Sequence, residues 1–370
     1  MMNDTYAWSW FVPDAKGVVR LICNNIYARD AVGNFCLDIY QLCQQNNIPI
    51  VMYASSYHKE QHAFIRDEQC VAQDTQPDDT LLYFHSIEDP HLPMIAALTA
   101  RKKIAYFHGI TNPAFFRDSN PGLSKSCEQG FQQLNLLTTF DVFAANSFAS
   151  AMLMNKHAPS IDPWSVAIIP PRLMPTKKVE QVTTGAHHKA INTTFLYVGR
   201  IKSHKKIEDI IVLFAHYLKK DPTAALWIVG GQDDPRYKQQ LAAIAADYLG
   251  ADQEKIKWFG LVSDTELEQL YAEATVYLSM SEDEGFCVPV LEAMLAGLPV
   301  FAYGIPAVKE VMGGAGVYFS HKDFPLLATW FYDILTNATR VQTIIQSEWQ
   351  HAKNMLQTMD GRMILQLFES

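Results

Sequence analysis

The stretch Ser281–Gly304, SEDEGFCVPVLEAMLAGLPVFAYG, decides the fold because it holds one full step of a repeating alternation. It grows out of one apolar run, VYLSMS (276–281), and ends in another, PVFAYG (299–304). Between them Pro289 suits the first turn of a helix, where its missing N–H is no loss, and Gly297 suits the end of one. SEDEGFCV therefore reads as a loop and PVLEAMLA as a helix of about two turns. Strand, loop, helix and strand make one step of a parallel α/β sheet. The same stretch raises a chemical question. Glu284 and Glu292 lie among apolar and small residues, and carboxylates are rarely tolerated in buried-looking segments unless they are paired or bound to something.

The alternation extends in both directions. Short apolar runs recur at 18–23 (VVRLIC), 49–54 (PIVMYA), 80–85 (TLLYFH), 103–108 (KIAYFH), 141–147 (DVFAANS) and 165–170 (SVAIIP). They resume at 193–199 (TTFLYVG), 224–231 (AALWIVGG), 255–260 (KIKWFG), 276–281, 299–304 and 316–319 (GVYF). Segments of helical period sit between them. KIEDIIVLFAHYLKK puts Ile207, Ile210, Ile211, Phe214 and Leu218 on one stripe and stops at Asp221-Pro222. SDTELEQLYAEA opens with a capping box, Ser263 to Glu266, and offers Leu267, Leu270, Tyr271 and Ala274 for burial. Buried strands alternating with helices predict parallel sheets covered on both faces.

A chain of 370 residues is too long for one ordinary core, since about 100–200 residues make a domain. The polar stretch near Pro170–Asn192, which includes His187 and His188, breaks the rhythm and reads as a hinge. The expected layout is a Rossmann-like domain over 1–170, a linker over 171–192 and a second Rossmann-like domain over 193–345. A last helical segment, 346–370, is expected near the domain junction. Both domains are expected to be doubly wound and to face a central cleft, with ligand outside the C-terminal ends of the strands.

Composition excludes several classes. A net charge of −9 argues against a general nucleic-acid binder. No run of 18 apolar residues is present, so no membrane-spanning helix is expected. The opening MMNDTYAWSWFVPDAKG lacks the basic and apolar regions of a secretory signal. Six cysteines are scattered without a C-x-x-C pair, as in a reduced cytosolic protein. Walker A and G-x-G-x-x-G patterns are both missing.

Chemistry gathers in the second half. Glu284 sits just ahead of a helix N-terminus and Glu292 is expected on that helix's first turn. Such a terminus offers free N–H groups and partial positive charge, which suit a phosphate. YVGRIKSHKK ends a strand and presents Gly199, Arg200 and Lys205, a guanidinium fork and an ammonium suited to a diphosphate. IVGG (228–231) and WFGLVSD (258–264) are strand-end turns whose glycines let backbone come close to a ligand.

The order of these elements is distinctive. G-R-x-x-x-x-K from Gly199, V-G-G from Val229, W-F-G-x-V-S-D-x-E-L-x-x-x-Y from Trp258 and S-E-x-E-G-F-C-x-P-x-x-E-A-M from Ser281 together resemble the C-terminal half of family 4 glycosyltransferases, which have the GT-B fold. Glu284 to Glu292 matches that family's E-x7-E element, and the resemblance is strong over about 193–320. It implies that Arg200 and Lys205 hold a donor's diphosphate and that Glu292 takes its ribose hydroxyls. It further implies that Glu284, with Gly285, Phe286, Cys287 and Val288, faces the transferred sugar, and that the turn at Leu261 touches the base. Ala274-Thr275 departs from the family's Ala-Asp, and Lys206 stands where glycine is frequent.

In the first half, NNIYARDAVGNFCLDIYQLCQQNN (24–47) reads as a polar loop with Gly33 and Asn34, followed by an amphipathic helix. By resemblance Gly33 belongs to a glycine loop lying against the donor phosphates. YFHSIEDPH and YFHGITNPAFF each end a strand with histidine, His85 and His108. The second resembles the family element Y-H-N-I-T-P-x-F-F, with Gly109 in place of asparagine, which implies that His108 contacts the donor sugar near the scissile bond. His85, Glu88 and His91 could be read as metal ligands, but their spacing matches no standard site. The basic run Arg101–Lys103, with Phe115 and Phe116 taken as exposed, is read first as a solvated strand edge and second as a contact with an anionic membrane surface.

What the resemblance implies for activity is transfer of a hexose from a nucleoside-diphosphate sugar, with retention of configuration, to a saccharide or lipid-linked saccharide. The setting would be cell-surface polysaccharide synthesis at the cytoplasmic side of a membrane, with the first domain taking the acceptor. GDP-mannose is preferred over a UDP-hexose as donor. No cofactor or metal is expected: fixed cations replace one, and no Asp-x-Asp element stands out, although Asp233-Asp234 follow the Val-Gly-Gly turn. A nucleotide-sugar epimerase of the same fold and a non-enzymatic sugar-binding protein are the alternatives.

Overall fold

The computed structural model describes residues 17–27, 30–58, 64–171, 192–232, 234–359 and 361–369. The expected linker lies almost wholly outside these, as do Asp233, His187, His188 and the first sixteen residues. The chain divides into two compact units. The first comprises Met1–Pro113, Gly122–Leu173 and Met359–Ser370, and the second Ala114–Pro121 and Met174–Thr358. Neither unit is one continuous segment. A short piece after Pro113 groups with the second unit, and the last residues group with the first.

In the first unit the strands are β1 (Val19–Cys23), β2 (Ile50–Ala54), β3 (Ile65–Asp67), β4 (Thr80–His85), β5 (Lys102–Phe107), β6 (Val142–Ala145) and β7 (Ala167–Ile168). They form one sheet in the order β3-β2-β1-β4-β5-β6-β7. Every pairing is parallel. All residues of β1, β2 and β4 are buried, as expected of strands covered on both faces. Leu21, Met52, Leu82 and Ile104 make the centre of the core, together with Phe35 and Ile39 of the helix Ala31–Gln45. Ile364 and Phe368, from the last helix Arg362–Glu369, belong to the same core.

An ion pair is sealed inside this unit. Arg20, in the middle of β1, is fully buried against Asp79 at 2.5 Å and donates to the Tyr53 hydroxyl at 2.6 Å. Asp79 also accepts from the backbone N–H of Val18 and of Gln76. Such a pair is tolerated because its hydrogen-bonding capacity is largely taken up.

The second unit repeats the plan with β8 (Thr194–Val198), β9 (Ala225–Val229), β10 (Ile256–Gly260), β11 (Val276–Ser279), β12 (Val300–Tyr303) and β13 (Val317–Phe319). The order is β10-β9-β8-β11-β12-β13, again all parallel. Ile207, Ile210, Ile211, Phe214 and Leu218 of the helix Ile207–Leu218 are all buried against Phe195, Leu226 and Leu278. The capping box at Ser263 forms with both of its hydrogen bonds, and Leu270 and Tyr271 are buried while Leu267 is only half-buried.

Three expectations need correcting. The run at 255–260 is a sheet edge, so that only Ile256 is buried and Trp258 and Phe259 stay exposed. Arg101–Lys103 is not a sheet edge, and of the three only Arg101 is exposed. β5 lies inside the sheet, and Arg101 and Lys102 donate to the carbonyls of Phe368 and Leu367, at the C-terminal end of the last helix. Cations are favourable at that end of a helix dipole. Phe116 is buried and Phe115 half-buried, both with ring contacts to His204, so they are not exposed aromatics.

Candidate functional site

In a doubly wound sheet the strand order reverses at one point, and the loops on either side splay to leave a crevice at the strands' C-terminal ends. The second unit reverses between β8 and β11. Gly199 and Arg200 leave β8 there, and the loop 280–287 leaves β11. The sequence thus delivers its cations and its acidic loop to the same place by topology.

The turn after β8 is tight. Gly199 has φ +152° and Gly230, at the end of β9, has φ +141°. A Cβ on Gly230 would lie 1.9 Å from the Gly199 carbonyl oxygen. Glycine at 230 thus serves the approach of two backbone turns to each other. The chain then makes a short 3-10 turn, Ser203–Lys205, and Lys206 enters the left-handed region at φ 54°, ψ 50°. That conformation accounts for glycine being frequent at this place in the family the sequence resembles.

Lys205 is the centre of the cluster. Its Nζ lies 2.5 Å from Glu284 Oε2, with the two side chains 15% and 13% exposed. The two residues assigned to different parts of a ligand are thus in direct contact. Glu282, by contrast, faces Lys322 at 2.6 Å and Lys206 at 3.6 Å, and Lys322 also reaches Asp209 at 2.7 Å. Of the two glutamates in the loop, one is tied into a lysine network and the other is matched to Lys205. Arg200 is exposed at the strand end.

Helix Val288–Leu295 follows, with Pro289 in its first turn and no side chain capping its N-terminus. Cys287 is held at φ 72°, and its side chain and that of Phe286 are buried. Burial, then the nearby Glu284 carboxylate, pushes the Cys287 thiol well above its usual range, so it is not a nucleophile at neutral pH. Gly285 and Val288 are half-buried. Glu292 falls on the second turn of this helix, not the first, because the helix begins at Val288. Side chains point back toward a helix N-terminus, and the Glu292 carboxylate accepts from the Tyr271 hydroxyl at 2.9 Å. Burial raises the Glu292 carboxyl above its usual range, and the Tyr271 hydrogen bond opposes that shift. Leu261 is 68% exposed and lies beside Gly231, where an added Cβ would meet Leu261 Cδ2 at 3.4 Å.

His204, beside Lys205, was not singled out by the sequence. It is buried, and burial together with Lys205, Arg200 and Lys202 pushes it down to about 2, so it stays neutral. Tyr271 and Lys322 were also missed as site residues: the first was visible only as a core position, the second only as a distant lysine. Asp234 caps the helix Pro235–Leu249 through the N–H groups of Arg236 and Tyr237, which is a structural role.

Gly33 and His108 belong to the first unit. Gly33 is not in a loop: it is the third residue of the helix Ala31–Gln45, and its N–H is taken by the capping side chain of Asp30 at 3.5 Å. A Cβ there would lie 2.1 Å from the Tyr27 carbonyl oxygen, so close backbone packing requires glycine. His108 follows β5, half-buried, with its backbone N–H donating to His85 O and its carbonyl accepting from Asn146 at 2.8 Å. His85 is wholly buried, with Nε2 2.8 Å from the Gly130 carbonyl, and burial pushes it down to about 4. A ring so placed packs the interior and does not ligate a metal with Glu88.

The family model described as "Glycosyl transferases group 1" matches residues 187–323. O-antigen chain mannosyltransferase B of Escherichia coli is 38% identical over 132 residues, 35% of this chain and 33% of that protein. GDP-mannose:cellobiosyl-diphosphopolyprenol alpha-mannosyltransferase of Xanthomonas oryzae pv. oryzae is 31% identical over 123 residues, 33% of this chain and 32% of that one. The matched stretch thus spans about a third of the length of these curated relatives. Over nearly the whole chain, the solved structure of Anabaena HepE in complex with UDP-glucose superposes with a TM-score of 0.69 at 17% identity, covering 95% of this chain and 100% of that one. That likeness defines the class by shape: two Rossmann-like α/β units, the GT-B fold. The match to the group 1 glycosyl transferases falls on the second of these units and covers about a third of the chain.

Proposed function

We propose that this protein is a retaining hexosyltransferase that moves a sugar, with mannose preferred, from a nucleoside-diphosphate donor to a saccharide or lipid-linked saccharide in cell-surface polysaccharide synthesis. The observation that carries the reading is the Lys205–Glu284 contact at the second unit's crevice, beside Arg200 and an uncapped helix N-terminus. Cations and helix N–H groups fixed in one place stabilise charge as it builds on a departing diphosphate, and they need no reorganisation at that moment. In this scheme Arg200 and Lys205 hold the diphosphate, Glu292, oriented by Tyr271, takes the ribose, and Leu261 covers the base. Glu284 and the backbone of Gly285–Val288 meet the sugar. The reaction runs by front-face substitution, with the departing phosphate oxygen accepting the acceptor's proton, so no carboxylate serves as nucleophile. Transfer itself draws on these fixed charges and on no divalent cation. The first unit takes the acceptor, and it carries His108.

The relatives' names favour GDP-mannose as donor: one of them carries that donor in its name, and another is a mannosyltransferase of O-antigen chains. None of the six cysteines is in a disulfide, as suits the cytoplasmic side of a membrane, where activated sugars are made. No helix of the described residues is long and apolar enough to cross a membrane. Peripheral contact would come with a lipid-linked acceptor.

A thermal-shift panel of GDP, UDP and their sugars tests the donor. A nucleotide at 100 times its dissociation constant stabilises by about 2.7 kcal/mol. GDP and GDP-mannose are expected to give the largest shift, and silence from every nucleotide would overturn the reading.

A further inference from the structure

A second polar cluster lies in the first unit, and donor chemistry makes no use of it. Ser55 follows β2, Glu68 follows β3, and Asp89 and His91 follow β4, so loops from the ends of three strands meet. Glu68 is 0% exposed and Asp89 1%. His91 Nδ1 lies 3.3 Å from Glu68 Oε2 and 3.8 Å from Asp89 Oδ1. One ligand atom from each of the three residues lies within 4.8 Å of the others. The remaining Glu68 oxygen, Oε1, is buried and has no hydrogen-bond partner. No lysine or arginine among the described residues forms an ion pair with either carboxylate. Two buried acids side by side, one with an unanswered oxygen, call for positive charge.

The surroundings hold these groups in place. Ser55 Oγ donates to Glu68 Oε2 at 2.5 Å, and the Tyr83 hydroxyl donates to Asp89 Oδ2 at 2.9 Å. Asp89 is further clamped by Gln133, which accepts from its N–H and donates to its carbonyl, both at 2.8 Å. Outer partners of this kind orient ligands and fix their distances. His91, with 25% of its side chain exposed, leaves one side open to water and gives an entry path.

We propose that Glu68, Asp89 and His91 form a divalent-cation site, with two carboxylate oxygens and one imidazole nitrogen on the ion and water completing its shell. Mixed oxygen and nitrogen donors suit a cation such as Mn2+ better than calcium, which takes oxygen alone, or a thiolate-seeking metal. Bonds of roughly 2.0–2.2 Å would draw the three side chains slightly inward. The ion would tie the loop after β3 to the loop after β4 at the first unit's crevice. It would stand apart from the transfer chemistry proposed for the second unit, and loss of either leaves the other intact.

The full-length chain, stripped with chelator and desalted, should be titrated with Mn2+ while free Mn2+ is followed by electron paramagnetic resonance. One equivalent per chain is expected, with a rise in melting temperature. His91→Ala should weaken binding by more than about tenfold, and Glu68→Gln should abolish it. Circular dichroism checks that each variant folds. His91→Ala carries the test if Glu68→Gln does not fold, because its side chain is the most open of the three. Binding far below one equivalent would overturn the proposal. Binding that His91→Ala leaves unchanged would overturn it too, since the ion would then sit elsewhere.

Discussion

In the first unit the strand order reverses between β1 and β4, and the neighbouring loops collect Glu68, Asp89 and His91. In the second it reverses between β8 and β11, where Lys205 meets Glu284 beside Arg200. The sheets are built alike, and the two crevices carry opposite chemistry. One is a largely buried acidic cluster short of positive charge; the other presents cations with partial exposure. Topology says where a ligand goes, and a handful of loop residues say which ligand.

If that division is right, changes in the second crevice should damage activity and changes in the first should damage stability. The largest effect is expected from Lys205→Ala. Loss of one fixed donor from an electrostatic site costs roughly 100- to 1000-fold in rate. Nucleoside-diphosphate release from the donor measures it, and circular dichroism should show a retained fold. Full activity in this variant would break the comparison at its centre.

Acid should act through buried histidine in the first unit. His85 titrates near about 6.5 when unfolded and is pushed down to about 4 when folded. Between those values the unfolded chain binds a proton that the folded chain refuses. The stability His85 contributes is therefore whole above pH 6.5 and is lost as pH falls toward 4, by about 3 kcal/mol. Urea unfolding at stepped pH should show this slope, and His85→Gln should flatten it. An unchanged slope would mean that His85 is not held neutral.

Gly33→Ala sharpens the contrast further. Its Cβ meets the Tyr27 backbone, and overpacking of this kind costs about 1–3 kcal/mol, which calorimetry would record as a lower melting temperature. Loss of activity with no loss of stability would instead return Gly33 to the ligand. Glu292→Gln is the smallest change. It should raise the donor KM about tenfold, the scale of one charged hydrogen bond, and leave kcat less affected. Tyr271→Phe should follow in the same direction, and a KM unmoved in both variants would remove Glu292 from the nucleotide.

Much of the fold was legible because parallel strands are buried on both faces and so appear as continuous apolar runs. The strands from Val19–Cys23 to Val317–Phe319 fall on such runs. The misses are short or shared elements. Ile65–Asp67 and the small pair Asn25–Ile26 with Ser56–Tyr57 are too brief to show a pattern. In the second unit, Arg200, Lys205, Glu284 and Glu292 were visible because their motifs are local. Lys322, Tyr271 and the Glu68–Asp89–His91 cluster were not, because their partners come from separate loops and only the sheet brings them together. Gly33 reads in sequence as a loop glycine and lies instead in the first turn of a helix, where it packs on the Tyr27 backbone.

The last helix has a consequence for how the chain is made. Ile364 and Phe368 complete the core of the first unit, and Arg101 and Lys102 hold the end of their helix. The first unit therefore cannot close its core until Ile364 and Phe368 have left the ribosome. It must wait, partly open, while the whole second unit is translated and folds. A chain stopped at residue 358 should leave that interior exposed to proteases and to aggregation, and a synthetic peptide spanning 359–370, added in trans, should restore its protection.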